Sequence, residues 1–183
     1  MNGYFPQLKE RIFSSDFLHI DPTQIMGKEP FAVVGNFPYN ISTQILFKIL
    51  DWRDQVPVVI GMFQKEVAQR AASKEGSKVY GVLSVLIQAF YQVDYLFDVS
   101  NECFTPPPKV QSGVIRLRRK KTDLNYTSEK SFRLLVKTAF GQRRKTLRNA
   151  VKGMFSPEVL QDEIFNKRAE ALSLEDFAAL TFK

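Results

Sequence analysis

Asn36-Phe37-Pro38-Tyr39 is the tetrapeptide in this chain whose residue types could do chemistry together. Asparagine brings a side-chain oxygen that accepts hydrogen bonds without carrying charge. Proline removes a backbone donor and fixes φ, which stiffens the turn. Tyrosine offers a flat face on which a nucleobase can stack, an interaction worth about 1–3 kcal/mol per base. The set suits an aromatic amine such as the amino group of adenine, whose lone pair is delocalised into the ring and is a poor nucleophile. Two acceptors aimed at its protons, the Asn36 oxygen and a neighbouring backbone carbonyl, would favour a pyramidal nitrogen. They would also stabilise the positive charge that develops as it attacks a sulfonium methyl. Taken bare, the four residues read equally well as a strand-to-helix turn with a buried tyrosine.

The other reactive side chains are few. Asp16 reads alone as an ordinary strand-end or capping aspartate, and Phe17 as a core residue or a pocket wall. His19 has no carboxylate or serine partner apparent in the sequence and reads as structural. Cys103 is the only cysteine, which excludes an internal disulfide and fits a reducing compartment. One histidine and one cysteine are too few soft ligands for a zinc site. Met1-Asn2-Gly3-Tyr4 lacks the basic start and apolar stretch of a signal peptide, and no apolar run approaches the ~20 residues that span a bilayer. These features describe a cytoplasmic protein.

The turn must be held by neighbouring elements. Arg11 to Leu18 and Phe31 to Gly35 read as short buried strands. Ser42 to Trp52 carries a helical stripe in Ile45, Leu46, Ile49 and Leu50. A strand over Val56–Phe63, a helix over Gln64–Ala72 and a helix over Val82–Ala89 follow. The alternation Tyr91, Val93, Tyr95, Phe97, Val99 predicts a strand, and a last strand over Gly113–Leu117 comes after Pro106-Pro107-Pro108. The order suits an α/β sheet closed by a β-hairpin. From about Glu129 the pattern is helical only, with Ser156-Pro157-Glu158 a helix start and Ser173 to Asp176 a capping box. A domain boundary is expected near Thr122, giving units 1–122 and 123–183.

Charge is uneven along the chain. Net charge is +7, yet Lys109–Lys152 holds 14 Lys/Arg against two acids, Asp123 and Glu129. Such a segment suggests a polyanionic partner, nucleic acid first, although a solvated helical face would look the same by charge alone.

Several blocks together resemble the rRNA adenine N6,N6-dimethyltransferase family. They are Gly35-Asn36-Phe37-Pro38-Tyr39-Asn40-Ile41-Ser42-Thr43, Gln64 to Arg70, Tyr80-Gly81-Val82-Leu83-Ser84-Val85, Phe104-Thr105-Pro106-Pro107-Pro108-Lys109-Val110-Gln111-Ser112 and Arg168 to Ser173. The blocks stand in the family's order and cover essentially the whole chain. The resemblance implies that Asn36 and the Phe37 carbonyl hold the target amino group, with Pro38 shaping the turn and Tyr39 and Phe104 flanking the base. It implies S-adenosylmethionine as cofactor, with Asp16 taking its adenine amino group and Phe17 and Asn36 beside it. Phe37 stands where leucine or isoleucine is usual. The basic residues Lys109, Arg116, Arg118, Arg119, Arg143, Arg144, Lys145 and Arg148 would grip RNA phosphates.

The implied fold is a truncated Rossmann-like sheet of the class I methyltransferases with a small all-helical C-terminal domain. Family members open with a strand and glycine-rich turn for the cofactor, whereas this sequence has no Gly-x-Gly. In the usual strand order 3-2-1-4-5-7-6, the strands not found here would lie between the first two read above. The expectations are therefore weak cofactor binding and no catalysis by this chain alone, unusual placement of residues 1–25, and an apolar edge at Phe31–Gly35 prone to self-association. The implied function is dimethylation of two adjacent adenosines near the 3′ end of small-subunit rRNA, on an immature small ribosomal subunit. The alternatives are a macrolide-resistance type large-subunit rRNA methyltransferase and a non-catalytic rRNA-binding assembly factor.

Overall fold

The computed structural model describes residues 6–122 and 124–183; the expectations for Met1 to Tyr4 and the charge of Asp123 lie outside them. In chain order, a 3-10 turn over Pro6–Arg11 and the one-turn helix α1 (Thr23–Met26) precede β1 (Val33–Asn36) and α2 (Ser42–Asp51). β2 (Val58–Gln64), α3 (Lys65–Ala72), α4 (Val82–Phe90), β3 (Tyr91–Val99) and β4 (Ser112–Arg119) follow. The remainder holds α5 (Glu129–Gly141), α6 (Leu147–Ala150), three 3-10 turns and α7 (Leu174–Leu180).

The sheet order is β1-β2-β4-β3, with β1 parallel to β2 and the β2–β4 and β3–β4 pairs antiparallel. β2 alternates buried and half-buried residues along its length, as a strand covered more heavily on one face should. β1 lies at an edge, and Val34 on it is 73% exposed. Ile45, Leu46, Ile49 and Leu50 of α2 are all fully buried, and each such side chain contributes about 1.5–3 kcal/mol by leaving water. α4 is buried nearly all round because it packs on α2 and α3 and also on α5 and α7. Its Gln88 donates to the Ala71 and Ser73 carbonyls at 2.8 and 2.7 Å, capping the end of α3. The core runs without interruption from the sheet into the C-terminal helices.

Three expectations need correction. Arg11–Leu18 is not a strand: residues 12–16 hold no helix or strand and residues 17–19 form a turn, in which Asp16 takes the Leu18 amide on its side chain and the His19 and Ile20 amides on its carbonyl. Aspartate competes for local backbone donors in this way, and a strand without neighbours has no ladder to offset it. The described part of residues 1–25 thus adds no strand to the sheet. Secondly, the alternation in β3 breaks at a register shift between Tyr95 and Phe97, after which Phe97 is 57% exposed. An extra residue in one strand shifts which side chains face the core. Thirdly, Ser156 accepts from the Val159 amide at 3.4 Å but leads only into the 3-10 turn Val159–Gln161. The capping box at Ser173 does form, with Ser173 and Asp176 each accepting the other's amide at 3.0 Å.

Candidate active site

β1 ends on Asn36, whose side chain is exposed at the carboxyl edge of the sheet and makes no hydrogen bond among the described residues. This leaves its oxygen available to a ligand. The chain then turns because Phe37 folds its ring back into the core. The ring stacks on Phe63 at 4.9 Å and meets Phe17 edge-on at 5.8 Å. It fits there because Gly35 and Gly61 lie beneath it: a Cβ on Gly35 would stand 2.9 Å from the ring, and one on Gly61 2.7 Å. These two glycines are register partners across β1 and β2. The bulkier residue at Phe37 therefore occupies space under the turn rather than the cleft's mouth.

Pro38 is extended (φ −59°, ψ 133°), and its carbonyl accepts from the Ile41 amide at 3.4 Å and from the buried Ser42 hydroxyl at 3.1 Å. Tyr39 opens a short 3-10 turn leading into α2. Its phenol is hydrogen-bonded to Ser112, the first residue of β4. Opposite the turn lies the segment between β3 and β4, where the Thr105–Pro106 peptide is cis. Together they enclose a cleft of about 390 Å³, lined by Asn36 to Tyr39 on one side and Phe104 to Pro106 with Pro108 on the other. The space admits a nucleobase, with the exposed Asn36 acceptor and the aromatic side chains of Tyr39 and Phe104 in its lining. Lys65 fixes the base of the same segment: its amide donates to the Gln111 carbonyl at 2.9 Å, and its Nζ to Asp98 at 2.7 Å and Gln111 at 3.0 Å.

Asp16 and Phe17 approach β1 from the N-terminal turns, Phe17 lodging against Phe37 and Trp52. The Asp16 carboxylate is exposed and accepts from the Leu18 amide and from His19 Nδ1, both at 2.9 Å. The Leu18 hydrogen bond first, then that of His19, holds its pKa below the usual carboxylate value. His19 thus has a carboxylate partner after all, three residues back across a turn. The exposed Asp16 carboxylate keeps free lone pairs with which it can accept from an amino group, the kind of donor the adenine end of S-adenosylmethionine presents.

The basic residues fall into two kinds. Arg116 and Arg118 both pair with Asp94, each at 3.1 Å. Arg119 donates to the Phe90 carbonyl, Arg143 pairs with Glu170 at 2.8 Å, and Arg148 donates to the Leu160 carbonyl at 2.9 Å. Lys109, Arg144 and Lys145 are exposed, and their side chains have no partner among the described residues. Sequence alone does not separate these kinds, because the acids and backbone carbonyls that engage the first are not its neighbours in the chain.

This α/β sheet carries its cleft at the carboxyl end of β1, where open α/β folds bind their ligands. Residues 5–181 match the family described as ribosomal RNA adenine dimethylase. The chain is 54% identical over 180 residues to Ribosomal RNA small subunit methyltransferase A of Flavobacterium johnsoniae, covering 98% of this chain and 69% of that protein. It is also 54% identical over 178 residues to the protein of that name from Cytophaga hutchinsonii, covering 97% and 69%. The fold resembles a dimethyladenosine transferase from Plasmodium falciparum at a TM-score of 0.75 and 24% identity, over 90% of this chain and 68% of that one. It resembles the 23S rRNA methyltransferase ErmE at a TM-score of 0.64 and 19% identity, over 98% and 76%. The chain belongs to the ribosomal RNA adenine dimethylase family, whose members are rRNA methyltransferases that use S-adenosylmethionine. Among the described residues no helix is long and apolar enough to cross a membrane.

Proposed function

We propose that the cleft receives an adenosine of small-subunit rRNA for N6,N6-dimethylation, on an immature small ribosomal subunit in the cytoplasm, with two adjacent adenosines near the 3′ end as targets. The observation that carries this reading is the Asn36 carboxamide, without a hydrogen-bond partner among the described residues, in the lining of a cleft that also holds Tyr39 and Phe104. Asn36 Oδ1 and the Phe37 carbonyl accept the two amino protons, which localises the nitrogen lone pair and offsets the charge it acquires. Tyr39 and Phe104 hold the base by its faces, and Pro38 keeps the turn rigid between them. S-adenosylmethionine, when bound, supplies a sulfonium methyl group as electrophile. Asp16 holds its adenine amino group, with Phe17 and Asn36 alongside. No side chain needs to act as a strong base, since the proton becomes acidic only once nitrogen carries positive charge.

The residues after Thr122 form the helical RNA-binding unit in this reading. Lys109, Arg144 and Lys145 contact phosphates directly, while Arg116, Arg118, Arg119, Arg143 and Arg148 add to the local potential from fixed positions. The likeness to curated small-subunit enzymes at 54% identity favours that substrate over the large-subunit alternative. The test presents the protein, with S-adenosylmethionine, to small and large subunits lacking the modification. Retention on small subunits is the expected result. Preference for large subunits overturns the reading.

A further inference from the structure

Three serines in the described chain are buried: Ser42, Ser84 and Ser112. Burying a hydroxyl costs free energy unless it finds a partner, so the partners show what each is for. Ser84 serves the junction of α3 and α4, donating to the Arg70 carbonyl at 2.6 Å and accepting the Gly81 amide at 3.0 Å. The other two both serve the Asn36–Tyr39 turn. Ser42, at the start of α2, holds the Pro38 carbonyl; Ser112 holds the Tyr39 phenol.

Ser112 sits where this contact is most constrained. It lies opposite Gln64 of β2 and Val99 of β3, so its backbone is fixed on both sides by the sheet. The preceding residue, Gln111, is tied to Lys65 through both backbone and side chain. Phe104 belongs to the segment that ends at Ser112, and Tyr39 to the turn opposite. The hydroxyl therefore joins the two walls of the cleft.

We infer that Ser112 is a positioning residue: its hydrogen bond fixes the plane of the Tyr39 ring, so that Tyr39 and Phe104 present their faces to one base at a set separation. The inference rests on the proposed adenine site and adds to it the residue that sets the geometry of the stack. It follows that Ser112 acts through Tyr39 alone, so removing either hydroxyl should have the same consequence as removing both.

The test labels the protein with 3-fluorotyrosine and follows the Tyr39 fluorine resonance, assigned by its loss in Tyr39→Phe. Ser112→Ala should shift that resonance in the free protein, and Ser112→Thr, which keeps a hydroxyl, should restore it. In parallel, quenching of an RNA hairpin carrying 2-aminopurine at the target position reads stacking in the cleft. Ser112→Ala and Tyr39→Phe should each weaken capture about 10-fold, the loss of one net hydrogen bond, and the double variant should be no weaker. A double variant also leaves neither hydroxyl orphaned, so it folds even if a single one does not. An unmoved fluorine resonance in Ser112→Ala, or additive losses, would overturn the inference. If Tyr39→Ala leaves quenching untouched while the fluorine shift is seen, the adenine reading fails and the positioning contact stands.

Discussion

The ring of Phe37 lies across Gly61, so closely that a β-carbon there would stand 2.7 Å from the ring and 2.6 Å from the ring of Phe63. Both neighbours are buried aromatic groups stacked on each other and cannot swing aside. Gly61→Ala should therefore cost about 1–3 kcal/mol, as overpacking of a core does, read from denaturant unfolding. Replacing Phe37 by leucine in the same chain should recover part of that loss. A neutral Gly61→Ala would mean the ring is not seated under the turn.

Acid should loosen the base of the cleft. The hydrogen bond from Lys65, followed by that from Tyr95, holds the Asp98 carboxyl below its ordinary value of 3.8. A group depressed on folding stabilises the protein above its unfolded pKa, and that stabilisation fades as pH falls through the folded value. Stability measured from pH 5 downward should thus drop less steeply in Asp98→Asn than in the parent, with the two curves differing mainly above pH 4. Identical acid limbs would show that the Lys65–Asp98 contact is not coupled to folding.

Separating the two kinds of basic residue gives a third expectation. Arg144→Ala with Lys145→Ala should weaken RNA binding and lower the slope of log K against log salt by about 1–2, leaving thermal stability unchanged. Arg143→Ala should instead lower stability, by roughly 1 kcal/mol given its partial exposure, because it releases Glu170. An unchanged salt slope in the first variant would remove those residues from the interface.

The free edge of the sheet makes a fourth. Val34 is 73% exposed on β1, which pairs only with β2 among the described residues. We expect concentration-dependent association in sedimentation experiments, suppressed by Val34→Lys, since a charge on an edge strand blocks pairing. A parent protein that stays monomeric at high concentration would count against it.

Much of this architecture is readable in the sequence where one element carries its own signal. The stripe Ile45, Leu46, Ile49, Leu50 and the capping box at Ser173 need no distant partner, and both appear as expected. The β1-β2-β4-β3 order matches the 4-5-7-6 portion of the order the family resemblance implies. What escapes the sequence is pairing at a distance. Arg11–Leu18 has the apolar content of a strand but pairs with no strand among the described residues. The bulge that exposes Phe97 is a property of its register against β4. The fit of Phe37 over Gly35 and Gly61 depends on two glycines being register partners, and the Tyr39–Ser112 contact joins residues 73 apart. Within the cleft, residue types were legible and their supports were not.

In the proposed function, Asn36 reads the amino group of an adenine held between Tyr39 and Phe104. This reading is tested most directly by competition between two RNA hairpins, one with adenosine at the target position and one with purine riboside, which lacks only that amino group. The parent protein should prefer adenosine about 10-fold, because the unpaired Asn36 acceptor gains its partner, and Asn36→Ala should bind both equally. Equal binding by the parent, or a preference that survives in Asn36→Ala, would mean that Asn36 does not read the amino group.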